Sequence, residues 1–184
     1  MSFGSILLGA LIGGIVSTGA IIGVTFLGTM VPWWALLLIG AGGCLIGGIL
    51  AGVVAKGAGS GALAGLLSGL LVFGGVFLFL WLYYKQVLLD FVGSYSDIDA
   101  LLAAFLGKFG LVSGTDIYLM ISEWIKSIAP TVGEIQNFAN NNFIYLALIL
   151  GAIFGGLAAV VNLFAGLIGG LFTRKKSESY DSYY

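Results

Sequence analysis

The sequence predicts an all-α fold: an integral membrane four-helix bundle with a short helical cap outside the membrane, between the third and fourth spans. Apolar residues make up 60% of the chain and charged residues only 8%, against roughly 25% charged in soluble domains. Four apolar runs are long enough to cross a bilayer as helices. Most of the 31 glycines lie inside these runs, which indicates helices packed closely in lipid.

The first two spans are predicted at 6–27 and 33–54. The residues before Ile6 carry no Lys or Arg, whereas a cleavable signal peptide begins with a basic stretch, so 6–27 is interpreted as a retained span. Pro32 separates the two runs, because proline is tolerated only in the first turn of a helix. The second run would rise about 33 Å, close to the roughly 30 Å of a hydrocarbon core.

The third span is predicted at 61–84, after a glycine-rich turn that contains Lys56, the single charge between Trp33 and Tyr84. The fourth span, 143–172, is longer than a perpendicular helix needs, so we expect it to tilt or to protrude. A polar, tyrosine-rich tail at 173–184 follows it.

The segment 85–142 is predicted to lie outside the membrane, since it holds three of the seven basic and six of the eight acidic residues. Ser96 is predicted to be the N-cap of a short helix, and a capping box at 131–134 is predicted to open helical turns that lead to the asparagines at 140–142. Between them lies a predicted amphipathic helix, 116–128.

The apolar stripe of this amphipathic helix includes Ile117, Trp124 and Ile128. A helix this short does not span a bilayer, so it either lies in the interface plane or caps the outer ends of the spans. We favour the cap, because interfacial helices usually carry Lys and Arg on their polar face and this segment is net acidic.

Basic residues in short segments beside the spans predict the orientation. Lys56 and the tail residues Arg174, Lys175 and Lys176 fall on one side of four spans, so both termini are expected in the cytoplasm and 85–142 outside. Aromatic residues favour the headgroup level and mark the span ends assigned to the outer leaflet: Trp33, Trp34, Trp81, Tyr83, Tyr84 and Tyr145.

Glycines four residues apart let a neighbouring backbone approach closely in lipid. Chance alone produces such pairs in runs this rich in glycine, Gly9/Gly13 and Gly19/Gly23 among them. The longer series is interpreted as a packing seam between the second and third spans: Gly48 and Gly52, with Gly61, Gly65 and Gly69.

The residues 47–57 and 61–67 resemble the central hairpin of uncharacterised small four-span membrane proteins, rich in Gly and Ala, that are common in archaea. The resemblance covers only this hairpin and departs from the family pattern in the long outer loop. It implies a membrane protein and no catalytic residues.

The chain offers few groups for chemistry. It has no histidine and one cysteine, Cys44, so we expect no disulfide, metal, cofactor or catalytic triad. The net charge of −1 gives no basic patch for nucleic acid. No ionisable residue lies within the spans, which disfavours proton pumps and ion-coupled carriers. Polar side chains at depth are Ser17, Thr18, Thr25, Ser68 and Asn162.

Asn162 is the most informative of these polar residues, because an amide in hydrocarbon needs a hydrogen-bond partner. It either binds a neighbouring helix or lines a solute path. The sequence therefore favours a non-enzymatic structural or accessory component of the cell membrane, which packs against itself or a larger membrane complex through glycine-rich helix faces. The alternative is a small oligomeric channel or uncoupled solute pathway.

Overall fold

The fold is described by a computed structural model that covers residues 3–27, 31–108 and 110–173. Every regular element in these ranges is helical, which confirms the all-α prediction. In chain order the elements are α1 Phe3–Leu27, α2 Trp33–Ala55, α3 Ala58–Phe79, a π-helical segment Leu80–Tyr84, α4 Lys85–Gly93, α5 Ile98–Gly107, α6 Asp116–Ile128 and α7 Val132–Phe172.

Four of these helices are long and apolar enough to cross a membrane. They are α1, α2, the continuous helix Ala58–Gly93 formed by α3, the π-helical segment and α4, and α7. Each predicted span lies within one of them. Length and composition therefore indicate membrane residence, as the sequence predicted.

The chain divides into two compact units. The first unit comprises the chain up to Phe77 and from Ile149 onward, and the second comprises Leu78–Leu148. Small side chains fill the core of the first unit: Ala51, Ala55 and Ala64 are buried together, with Ile6 packed against them. Because these side chains are so short, the helix backbones come close to one another.

The connection between α2 and α3 is shorter than the sequence suggested, since only Lys56 and Gly57 separate the two helices. Both residues have positive φ angles, 54° and 121°, a region that glycine adopts without steric cost. The Ser60 hydroxyl lies 3.0 Å from the Lys56 carbonyl oxygen and 3.1 Å from that of Gly57. Helix α3 begins at Ala58, ahead of the predicted start at 61.

The second unit is more helical at its ends than predicted. The predicted boundary between the third span and the segment 85–142 lies inside a continuous helix. The asparagines at 140–142 lie within α7. The Asn142 amide donates to the Phe138 carbonyl oxygen at 3.1 Å, so this polar side chain is satisfied on its own helix.

Hydrogen bonds define the starts of three helices in the second unit. The Thr131 hydroxyl accepts from the Glu134 backbone N–H and the Glu134 carboxylate accepts from that of Thr131, at 3.2 and 3.3 Å, which confirms the predicted capping box. Asp97, and not the predicted Ser96, caps α5 by accepting from the Ala100 N–H at 3.0 Å. Thr115 caps α6.

Helices α5 and α6 are also joined by an ion pair between Asp99 and Lys126. The hydrogen bond to Asp99 raises the pKa of Lys126 above its ordinary value. An exposed pair of this kind contributes little to the free energy of unfolding.

Helix α6 has the predicted bounds, but three side chains of its apolar stripe lie on the surface of the protein. Tyr118 and Ser122 are buried, whereas Ile117, Trp124 and Ile128 are 57%, 65% and 55% exposed. The expectation that α6 buries this stripe against the ends of the spans is therefore wrong.

Several residues used to predict the orientation lie outside the described part of the chain. These are the basic residues 174–176 and the side chain of Trp33; residues 177–184 of the tail lie outside it as well. The other aromatic residues assigned to span ends are all exposed: Trp34, Trp81, Tyr83, Tyr84 and Tyr145.

Candidate functional site: a buried asparagine–serine cluster

Three helices of the first unit meet through polar side chains at its centre. Asn162 on α7 donates through Nδ2 to Ser68 Oγ on α3 at 2.6 Å and to Ser17 Oγ on α1 at 3.1 Å. All three residues have no exposed surface. We call Ser17, Ser68 and Asn162 the polar cluster.

The remaining hydrogen-bonding groups of the polar cluster also find partners. Ser68 Oγ donates to the Gly65 carbonyl oxygen at 2.6 Å, and Ser17 Oγ lies 3.4 Å from Asn162 Oδ1. Across the described residues, no buried side-chain nitrogen or oxygen atom lacks a partner. An unpaired amide in an apolar interior costs several kcal/mol (roughly 2–7). Because every polar group of the cluster has a hydrogen-bond partner, this cost is avoided when the cluster is buried between apolar helices.

Helix α2 contributes space to the cluster. A Cβ atom at Gly47 would overlap Ser17 Oγ, so glycine at this position lets the serine fit between α1 and α2. Cys44, on the same helix, is also buried. The cluster therefore draws on all four long apolar helices.

The five glycines of the predicted seam lie against α7. A Cβ at Gly48 would come within 2.8 Å of the Asn162 Cα, and one at Gly69 within 2.6 Å of the Ala159 Cα. A Cβ at Gly65 would overlap the Asn162 carbonyl oxygen. At both Gly52 and Gly61 it would overlap the carbonyl oxygen of Gly166.

The seam is thus formed by three helices, whereas the sequence suggested two. Gly61 and Gly52 do approach each other, since a Cβ at Gly61 would lie 3.0 Å from the Gly52 Cα. The glycines of α7 complete the seam: Gly166 lies against Gly61, and Gly170 against Gly57. At each of these positions the backbone of one helix occupies the place of a side chain on another.

Four other glycines face open space, and two of these, Gly19 and Gly23, have the same four-residue spacing. A Cβ at Gly19, Gly23, Gly74 or Gly156 would meet no atom within 4 Å. By contrast, a Cβ at Gly13 would come within 2.7 Å of the Gly47 carbonyl oxygen. Spacing identifies candidate faces, but only the rotation of each helix decides which face meets a neighbour.

The chemistry available to the polar cluster is limited to neutral hydrogen bonding. It contains an amide and two hydroxyls, with no general base to activate either hydroxyl. Two acidic residues of the segment 85–142 act at the start of α5, with Asp97 as its N-cap and Asp99 paired with Lys126. Within the described ranges, no group of three His, Cys, Asp or Glu residues is placed to hold a metal ion.

The second unit contains a partly enclosed cavity of about 200 Å³. It is bordered by α4, α5, α6 and the first part of α7, and its lining is apolar except for Asn142. No sequence pattern predicts this cavity, because its volume depends on how the large side chains of α4, α5, α6 and α7 pack against one another.

Comparison of the chain with protein-family models, with curated proteins and with solved structures found no match in any of the three. The resemblance of the central hairpin to the archaeal four-span family therefore stays a hypothesis.

Proposed function

We propose that this protein is a non-enzymatic, multi-pass component of the cell membrane with a structural or accessory role. In this proposal it packs through glycine-rich helix faces against a second copy of itself or a larger membrane complex. Its four spans place both termini in the cytoplasm and the segment 85–142 outside, in accord with the position of Lys56 between the second and third spans.

The closed polar cluster is the observation that carries the proposal. A solute path needs polar groups that face an open lumen. Here the deepest polar side chains, Ser17, Ser68 and Asn162, are wholly buried and use their hydrogen bonds on one another. This arrangement favours helix-to-helix attachment over conduction.

The glycines of the seam are occupied within the chain, so contact with a partner requires other faces. Gly19 and Gly23 lie one turn apart on α1 and have no neighbour within 4 Å of an added Cβ. They are flanked by exposed apolar side chains such as Ile15 and Phe26. This face is the part of the glycine-rich surface that remains open for a partner helix.

Two measurements test the proposal together. Copurification from native membrane followed by mass determination should give a species heavier than the 19.1 kDa chain. Gly19→Leu should reduce that species to the monomer, because a bulky side chain prevents close approach of a partner helix. Gly74→Leu is the matched control on α3, since Gly74 is also open.

The second measurement addresses the channel. Liposomes containing the purified protein should release small ions and uncharged solutes no faster than protein-free liposomes. A flux that depends on the protein and changes in Asn162→Leu would overturn the proposal in favour of a solute pathway. A monomeric mass from native membrane would overturn the assembly role.

A further inference from the structure

We propose that the apolar cavity of the second unit binds the end of a hydrocarbon chain. This goes beyond the proposed structural role, because it gives the protein a defined ligand site. The cavity lies wholly within Leu78–Leu148, so its geometry belongs to one compact unit.

The lining defines the chemical class of the ligand. Four phenylalanines border the cavity, namely Phe91, Phe105, Phe138 and Phe143, and aliphatic side chains supply most of the remainder. The single polar residue, Asn142, already donates to the Phe138 carbonyl oxygen on its own helix. A ligand with polar groups would find no charged partner among the lining residues. An alkyl chain would instead make apolar contacts with nearly all of them.

The size of the cavity fits one chain end. An apolar cavity of about 150 Å³ stays dry and takes up a molecule the size of benzene, and this cavity is somewhat larger, at about 200 Å³. Water is poorly accommodated by an apolar lining, because a buried water molecule needs two to four polar partners. A short alkyl segment restores the dispersion contacts that the empty space lacks, and the open side lets the rest of the chain leave.

The rest of the molecule indicates where the chain comes from. Two of the helices that line the cavity are parts of Ala58–Gly93 and Val132–Phe172, which are long and apolar enough to cross a bilayer. Acyl chains are the commonest apolar molecules around such a protein. They are present either in a phospholipid or as a free fatty acid, and both sources offer the same hydrocarbon end.

Photolabelling of the full chain in phospholipid nanodiscs tests this inference. One arm uses a phosphatidylcholine with a diazirine near the end of one acyl chain, and the other uses a free fatty acid with the diazirine at the same position. After irradiation, the adducts are mapped by mass spectrometry. We expect adducts at Phe105 and Phe143 in at least one arm, above the level at the outward-facing Leu37 and Leu38 of α2. The arm that labels identifies the source.

A cavity-filling substitution provides the matched comparison. Ala139 is buried and lines the cavity, so Ala139→Leu should reduce the adducts at Phe105 and Phe143 about tenfold, equivalent to about 1.4 kcal/mol of binding free energy. Ala103→Leu makes the same change at an exposed position of α5 that does not border the cavity, and should leave the adducts unchanged.

A measurement on the unchanged protein guards against a variant that does not fold. Excess unlabelled palmitic acid should compete with the photoreactive fatty acid for the cavity, but not for the general lipid-facing surface at Leu37 and Leu38. Two results would overturn the inference. In one, the adducts at the cavity never exceed those at α2; in the other, unlabelled palmitic acid lowers the adducts at the cavity no more than those at α2. Either result leaves the proposed structural role untouched, because that role rests on the polar cluster and on mass in native membrane.

Discussion

The side-chain amide of Asn162 donates to hydroxyl groups on two other helices, so its effect on stability should depend on both. We predict that Asn162→Ala and Ser68→Ala each destabilise the protein and that their effects are coupled by about 1 kcal/mol, the range found for hydrogen bonds between membrane helices. The free energy of unfolding in detergent, measured for both single variants and the double variant, gives this coupling.

The control for this cycle is Thr25→Ala. Its hydroxyl lies on the exposed side of α1 and donates to the Ile22 carbonyl oxygen of the same helix at 2.6 Å, so its removal should not couple to Asn162→Ala. A coupling between Asn162 and Ser68 no larger than that with Thr25 would show that the polar cluster does not join the helices energetically.

Two glycines on α3 give a matched pair for the seam. Gly65→Ala should destabilise the protein by about 1–3 kcal/mol, because the new methyl group overlaps the Asn162 carbonyl oxygen and must push the helices apart. Gly74→Ala should cause no loss, since nothing lies within 4 Å and alanine is the better helix former. Unfolding in detergent measures both. Equal effects would contradict the three-helix seam.

For single residues, the sequence predicts which side chains are candidates for contacts between helices, but not which residues they contact. Asn162, Ser17 and Ser68 stand out as polar residues in apolar runs, yet their meeting depends on how three helices rotate about their axes. The same limit applies to glycine. Gly9/Gly13 and Gly19/Gly23 have one spacing, but only the first pair is packed.

Among the helices, those with local start signals were predicted best. The bounds of α6 and the capping box at the start of α7 follow from short patterns of threonine, acidic and apolar residues. The sequence does not predict that the helix continues from α3 into α4, because the charged residues that follow Tyr84 indicate the end of a span. No glycine or proline interrupts 76–92, and polar residues there form helical contacts, as Gln86 does with Asp90 at 2.9 Å.

Helix α6 carries a prediction of its own. Its stripe of Ile117, Trp124 and Ile128 is exposed, and a short helix of this kind is stabilised by the headgroup region of a bilayer. In a variant that keeps Trp124 and replaces the other three tryptophans by phenylalanine, we expect blue-shifted emission. Phospholipids brominated close to the headgroup should quench it more strongly than those brominated near the chain end.

The matched control moves the tryptophan around α6. Glu123 lies next to Trp124 in the chain but about 100° away around the helix. A protein with Trp124→Phe and Glu123→Trp in the same background should be quenched less and should emit at longer wavelength. Equal quenching at the two positions would show that the stripe does not face the lipid.

For the whole molecule, the sequence predicted four apolar helices from composition and length, since lipid demands a particular length of continuous apolar helix. It did not predict the division into two compact units. That division depends on contacts between residues far apart in the chain, such as Lys85 Nζ with the Asn140 carbonyl oxygen at 3.0 Å, which no local pattern encodes.

The orientation in the membrane gives the last prediction. The positive-inside rule places the connection that contains Lys56 in the cytoplasm and the segment with α5 and α6 outside. In a Cys44→Ser background, a membrane-impermeant maleimide added to intact cells should label Val112→Cys and leave Gly59→Cys unlabelled until the membrane is permeabilised. Both positions are exposed in the protein, so access to the reagent depends on the side of the membrane and not on burial. The reverse pattern would mean that the protein has the opposite orientation in the membrane. Labelling of both sites in intact cells would place them on the same side, with an even number of spans between them instead of the single span predicted.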